Sequence, residues 1–562
     1  MSLLGSIQQS AGALNTAQLG LQVAGNNIAN ANTPGYIRQQ LDQVPTSATR
    51  LGNLLVGHGV RPLGVTQVID QALAERMWAA GGAVAAADTL ADAYGQLEQL
   101  VGGLDESSLS AELTRFNNAL LDFSTAPGDP ALRDLLLSTA ASLTGRLNRQ
   151  FNDAADLQTQ WDNEILGISS NINRLTQEIA ELNTQIATIE GGGSIPSDAT
   201  GLRDRRLLAI EELATIVDLN VQEQTTGAIS VFVAGDYLVQ DGIARDLVAR
   251  YNETAGGYQL LIADAGSPLQ TSGGQLGAIQ SARGNIFGDY LQDLNRTAAA
   301  LTQTINTVHS SSQGVRGFQS LTGAVSVAPD VPLDTAGLDY SVNNGTFDID
   351  LADANGATLG THRIRVRNLG RVDDDNVRSI VSQINAIDGL QADVDVRGNI
   401  RITSANENVR FAFRDDTSGF LAAAGLNTFF TGTNASDIAV NPVLLENSTY
   451  LGISKHGVGR DTESLAEMLD LIDQPLEHLN GRSVRSLQSE ATGRLAQTIN
   501  LQRSAADGIR SYHETLKGQH LAVTGVNIDE ESIRMLAYQY AFQASSRVIS
   551  TATELLDVLV NL

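Results

Sequence analysis

The chain has 562 residues, 42% of them hydrophobic, more than one ordinary core can use, so several compact pieces are expected. Its 36 basic and 63 acidic residues leave a net charge of -27, which repels phosphate backbones and anionic lipid headgroups; nucleic acid and membrane surfaces are not expected partners. Cysteine is absent, which excludes disulfides, thiolate metal sites and a cysteine nucleophile.

The first charged residue is Arg38. The segment before it lacks the basic start of a signal peptide, and Gln, Asn, Ser, Thr and Gly interrupt its apolar residues too often for a membrane span of ~20 residues. Neither membrane insertion nor a cleaved leader is expected. Ile7, Leu14, Leu21 and Ile28 recur at heptad spacing, with Ser10, Ala17, Ala24 and Ala31 three places after each. This is a coiled-coil seam. The other face carries amides and hydroxyls where an ordinary surface helix carries Lys and Glu. It is read as packed against other subunits; a helix buried within its own chain is the alternative.

Asp129-Pro130 supplies an N-cap and a first-turn proline, and a helical pattern then runs to Glu190, closed by Gly191-Gly192-Gly193. Its seam runs Leu147, Phe151, Ala154, Trp161, Ile165, Ile168, Ile172, Leu175, Ile179, Leu182, Ile186 and Ile189, with one lapse at Gln158. Such a helix spans roughly 90 Å and needs partner helices. Leu291 to Val308 and Leu495 to Leu516 repeat the seam. Short alternating stretches interrupt the helices twice. One surrounds Ile229-Val233, with Gly235-Asp236 as a turn; the other, from about Tyr340 to Phe430, has one helical piece at Asn376-Ile387. From Glu530 on, Ala537, Ala541, Ala544, Val548, Thr551, Leu555, Val558 and Leu562 form one stripe, and Phe542, Ile549, Leu556 and Leu559 a second. A helix apolar on two faces contacts more than one neighbour.

The expected fold is mainly α with β insertions, elongated and multidomain. Residues 1–45 with 520–562 form a terminal helical coiled-coil domain. Residues 46–339 with 431–519 form a long-helix rod domain with a small β subdomain near 218–270, and 340–430 an inserted α+β outer domain. Ile7, Leu14, Leu21, Ile28, Ala541, Val548, Leu555 and Val558 are the expected subunit-packing residues.

Three stretches have the residue types of a chemical site. His513-Glu514-Thr515-Leu516-Lys517 begins like a zinc-protease helix, but Lys517 stands where a second histidine must bind metal, and His513 falls on a seam. Asp353, Asn355 and Gly356 have calcium-loop spacing, yet Leu351 and His362 occupy the first and last ligand positions; a β turn is expected. Asp373, Asp374 and Asp375 precede a helical run, where acids cap free amides. No GxxxxGK[ST], GxGxxG or GxSxG occurs. The chain is read as a non-enzyme with no metal and no cofactor. A secreted adhesin or surface hydrolase carried by 340–430 is the alternative.

The stretch from Asn26 to Tyr36, with Asn26, Asn27, Asn30, Thr33, Pro34, Gly35 and Tyr36, resembles the N-terminal signature of the flagellar rod, hook and hook-associated proteins. Gly525 to Glu531, Tyr538 to Ala544 and Val548 to Thr551 resemble the closing motif of the same family. Leu202-Arg206, Gly273-Gly277, Asn306-His309 and Gly425-Gly432 are similar to the first hook-associated members, and the region 340–430 matches weakly. Arg203-Asp204-Arg205 departs from a more frequent Asp-Gln-Arg. A hook protein, the second choice within the family, lacks the long 147–189 coil.

The resemblance implies a secreted structural component of the flagellum that leaves through the type III export channel. It implies a homo-oligomeric ring between the hook protein and the next hook-associated protein on the filament side. It also implies a cytoplasmic export chaperone on the C-terminal helix, for which Val548, Leu555 and Leu559 are the anchors expected from three-and-four spacing.

Overall fold

The computed structural model describes residues 3–51, 54–102, 108–190, 199–371, 374–459, 461–476 and 479–560. Its helices, in chain order, are α1 (Leu3–Ala29), α2 (Gln71–Val101), α3 (Leu109–Thr125), α4 (Pro130–Glu190), α5 (Thr200–Ile216), α6 (Gly274–Ser281) and α7 (Asp289–Ser310). These are followed by α8 (Val377–Asn385), α9 (Phe420–Ala423), α10 (Pro442–Glu446), α11 (Glu463–Asp473), α12 (Val484–Thr524) and α13 (Ile528–Val560). Antiparallel strands fill the intervals. The expected glycine stop at 191–193, Asp373 and Leu562 lie outside the described residues. The fold is thus mainly α with β insertions. Two compact units divide it: residues 1–93, 159–283 and 500–562 in one, and 94–158 and 284–499 in the other.

In the first unit, the second half of α4 buries Trp161, Ile165, Ile168, Ile172, Leu175, Ile179, Leu182 and Ile186, as the seam requires, while Ile189 is 43% exposed. Four strands in the order 220–223, 229–233, 236–240, 243–244 form a small sheet, and 247–252 pairs with 257–262. The turn between 229–233 and 236–240 is Ala234-Gly235, both at positive φ, one residue before the expected position; Asp236 already belongs to the strand. Two asparagines of α4 hold these strands. Asn173 exchanges both hydrogen bonds with the backbone of Leu247, at 2.8 Å each. Asn183, fully buried, donates to Ile229 O and accepts from Ile229 N and from Arg206 of α5.

In the second unit, α3, the first half of α4, α7 and α11 share a core built on Phe116, Phe123, Leu136, Leu147, Leu301 and Ile305. Asp129 caps α4 through Ala131 N (2.8 Å). The sheets 358–366/345–353/409–414 and 320–326/399–404/390–394 close over a second core that includes Phe347, Phe413, Ile380 and Ile402. Asp353 accepts from Asn355 N and Ala357 N, which makes the stretch with calcium-loop spacing a hairpin turn. The cap of α8 is Asn376, in a reciprocal capping box with Ser379. Asp374 and Asp375 do not cap it; they bind the backbone of Leu369, Arg371 and Arg367 and so close the preceding turn. From α8, Gln383 covers both edge groups of Arg365 and Asn385 covers both of Ala392. Edge strands left open invite pairing with foreign chains.

The sequence stretches Asn306-His309 and Gly425-Gly432 meet in the interior of this unit. Asn306 accepts from Phe429 N and Phe430 N and donates to Phe430 O, each at 2.9 Å. Asn427 donates to His309 O, Ser310 O and Ser312 O. His309 Nε2 accepts from Gly452 N (2.9 Å), so its proton sits on Nδ1 and is donated to Asn427 O (2.8 Å). Burial drives the His309 pKa from its ordinary 6.5 down to about 4. The unfolded chain binds this proton below about 6.5 and the folded chain does not, so the His309 contribution is full above that pH and is lost as pH falls toward 4. The loss amounts to roughly 3 kcal/mol. In urea unfolding, the stability gap between wild type and His309→Gln should narrow by that amount between pH 7 and pH 4, and a constant gap would contradict the assignment.

Candidate assembly interface

The chain ends meet in the first unit, where α1 pairs with α13. Gly20 lies against the Tyr538 ring, which any added Cβ would approach to 2.6 Å. Ser10, Ala17 and Ala24 are buried, as small residues at a close helix contact must be, while Ile7, Leu14, Leu21 and Ile28 are half-buried. On α13 the inward stripe is Phe542, Ile549 and Leu556, half-buried, with Ala552 buried; Leu559 is exposed. The hairpin 39–45/60–67 lies on the other flank of α1.

Asn27 ties this arrangement together. Its side chain is fully buried and makes four hydrogen bonds. Nδ2 donates to Gln39 O (2.8 Å) and Glu531 Oε2 (3.0 Å); Oδ1 accepts from Gln39 N (2.9 Å) and Tyr36 OH (2.8 Å). One amide therefore fastens the end of α1, the turn after it and the first turn of α13. The remaining signature residues build the turn. Asn30 donates to Asn26 O and accepts from Thr33 Oγ1. Pro34 is exposed, and Gly35 takes φ +75°, a conformation that costs a side chain energy. Asn527 caps α13 through Asp529 N, and Arg38 lies 3.6 Å from Glu530. Glu531 is 1% exposed, and Arg534 lies 3.3 Å from its second oxygen. Burial and the charges of Asp204 and Glu531 push the Tyr36 pKa up to about 12, so the phenol stays a donor.

Each helix of the pair leaves a face uncovered in the single chain. On α1 it runs Leu4, Gln8, Ala11, Asn15, Gln18, Gln22, Asn26 and Ala29, without a charge. On α13 it holds Ala541, Val548, Leu555 and Val558, the last three 47%, 50% and 58% exposed. The structure thus brings Asn27, Tyr36 and Glu531 together and turns the Val548 stripe outward. Sequence reading missed that Asn27 and Glu531 are partners, and that Asp204 of the interior stretch belongs to the same neighbourhood. The signal available was the resemblance alone.

Among the described residues no group of three or more His, Asp or Glu side chains is placed to hold a metal ion, and no helix is long and apolar enough to cross a membrane.

Comparison with known proteins follows the same geometry. The family model described as flagellar hook-associated protein FlgK helical domain matches residues 94–323. Those described as flagella basal body rod protein and as flagellar basal body rod FlgEFG protein C-terminal match 7–36 and 517–562. The chain is 25% identical to flagellar hook-associated protein 1 of Escherichia coli, over 99% of both chains. It is 23% identical to that of Bacillus subtilis, over 98% of this chain and 96% of the relative. A solved structure of the flagellar hook junction protein FlgK from Burkholderia pseudomallei shares the fold, with a TM-score of 0.50 and 14% identity over 80% of this chain and 100% of the other. With its ends matching the rod-protein models, its interior matching the helical-domain model and its whole length matching relatives of that name, the chain belongs to the flagellar hook-associated protein 1 family, a structural component of the bacterial flagellum.

Proposed function

We propose that this chain assembles into a ring joining the hook to the filament, with the hook protein on one side and the next hook-associated protein on the other. The observation that carries the reading is the pair of uncovered faces on α1 and α13. An exposed helix face of Gln, Asn and Ala beside a stripe of Val and Leu is poorly suited to water and well suited to neighbouring copies. The relative named as a hook junction protein supports the same placement. Ile7, Leu14, Leu21 and Ile28, half-buried here, would complete their burial in the ring. No residue is assigned a catalytic role. In the 340–430 region the polar side chains serve one another: Asp348 pairs with Arg363, and Asp350 accepts from Gln313 and Thr361. No observation favours an adhesin or a hydrolase there.

The ring reading is tested by Val548→Asp combined with Leu555→Asp. Two unpaired carboxylates on the outward stripe should cost several kcal/mol per subunit on assembly. The free chain should melt as wild type does, because both side chains are half exposed in it. Cells carrying the variant should fail to swim; normal swimming would remove these residues from the interface.

Before assembly, the same stripe is proposed to be held by a cytoplasmic export chaperone, through Val548, Leu555 and Leu559, of which Leu559 is 60% exposed. Replacing the three by Ser should abolish the heat signal when purified chaperone is titrated into the full-length chain. Undiminished affinity would place the chaperone elsewhere.

A further inference from the structure

Helix α5 runs beside the signature turn and meets it at regular intervals. Thr200, Asp204 and Leu208 lie four residues apart, on one face of the helix. Opposite them lie Gln39 and Ile37, two places apart on the extended segment, and Gly35 in the turn that precedes it. Gln39 Nε2 donates to Thr200 Oγ1 (3.1 Å). The Asp204 carboxylate accepts from Gln67 Nε2 of the neighbouring strand (2.5 Å) and faces the backbone amide of Ile37. Gly35 rests on Leu208, where an added Cβ would come within 2.6 Å of its methyl groups. The match has a simple metric cause. Four helical residues rise about 6.0 Å and two extended residues about 6.6 Å, so the contacts at Gln39 and Ile37 stay in step. A shift of one residue along the extended segment would turn Asp204 toward a side chain instead of the Ile37 amide.

We propose that the face Thr200, Asp204, Leu208 sets the register in which the terminal pair α1/α13 is attached to the body of this unit, with Asp204 as the positioning residue. The inference rests on the ring reading, because register matters only if the terminal helices must meet neighbouring copies at fixed places. Asp204 suits the role: it is 9% exposed, accepts from Gln67 of the hairpin and faces the Ile37 amide of the turn. Asn27 holds the turn to α1 and α13, and Asp204 holds the same turn to α5. The two clamps act on consecutive alternate residues, Gln39 and Ile37. Without the second, the terminal pair keeps its own contacts but loses its fixed attachment.

The experiment replaces the chromosomal copy with Asp204→Ala, Asp204→Asn or Leu213→Ala, the last a control that empties a fully buried site in α5 away from the turn. Thermal melting of each purified chain, the amount of each chain exported and swimming are measured together. Asp204→Ala should be exported normally, melt no lower than the Leu213→Ala control and lose swimming. Asp204→Asn, which keeps an acceptor oxygen for Gln67 Nε2, should restore swimming. The proposal is overturned if Asp204→Ala swims as wild type does, if Leu213→Ala loses swimming to the same extent, or if the Asn variant does not rescue. If the outward-stripe variant swims normally while Asp204→Ala does not, the ring contact at Val548 fails and the positioning role stands; the reverse pattern sinks only the role of Asp204.

Discussion

A helix satisfies its own backbone, so it has nothing to offer a strand edge or turn beside it except side chains. Those neighbouring segments bring N–H and C=O groups that cannot be buried unpaired without a cost of about 1–3 kcal/mol each. In this protein the answer recurs: an amide side chain on a helix donates to the carbonyl and accepts from the N–H of one facing residue. Asn27 does this for Gln39, Asn173 for Leu247, Asn183 for Ile229, Asn306 for Phe430, Gln383 for Arg365 and Asn385 for Ala392. Only Asn and Gln carry donor and acceptor side by side in the spacing of a peptide group. Each of these six junctions between helix and extended chain depends on one of them.

Because the clamps are uncharged, they tolerate complete burial without the desolvation penalty of an ion pair. The charged pairs sit in more accessible places: Arg203 with Glu190 and Glu223 at the edge of the small sheet, Arg510 with Asp88 between α12 and α2. Such contacts add little each and fix no position. Two of the buried charges are tied to a clamp. Arg206 reaches Asn183 Oδ1 and Gly227 O, burial lowers its pKa to about 10, and it stays protonated at neutral pH. Glu531 is held by Asn27. Directional neutral contacts thus order these junctions, beside buried charges such as Asp162 with Arg283 and Asp348 with Arg363.

The terminal pair applies the same economy to assembly. Its inner faces are closed by small residues and one amide, and the outer face of α1 stays uncharged. Charged side chains there would have to shed their water on assembly; uncharged amides and aliphatics leave the faces ready to exchange water for protein. The amide edge clamps of α8 do the opposite work on the inserted strands, closing edges that would pair indiscriminately.

Much of this was legible in the sequence, because helical periodicity is a local property. The α4 seam from Leu147 to Ile186, the Asp129 cap and the partner helices α7 and α12 follow from three-and-four spacing, and burial followed the pattern. The two stripes of α13 were equally plain, but which faced α1 was not, since both are apolar. Tertiary structure decided it by turning Phe542, Ile549 and Ala552 inward and Val548 and Leu555 outward. Nor could sequence say that Asn27 of α1 binds Glu531, 504 positions away, or that Asp204 reads the turn at Ile37. An asparagine that clamps a buried strand and one that faces solvent have the same letter and the same local neighbours. What separates them is whether the fold brings an unpaired peptide group against them, and that is settled only when segments distant in sequence meet.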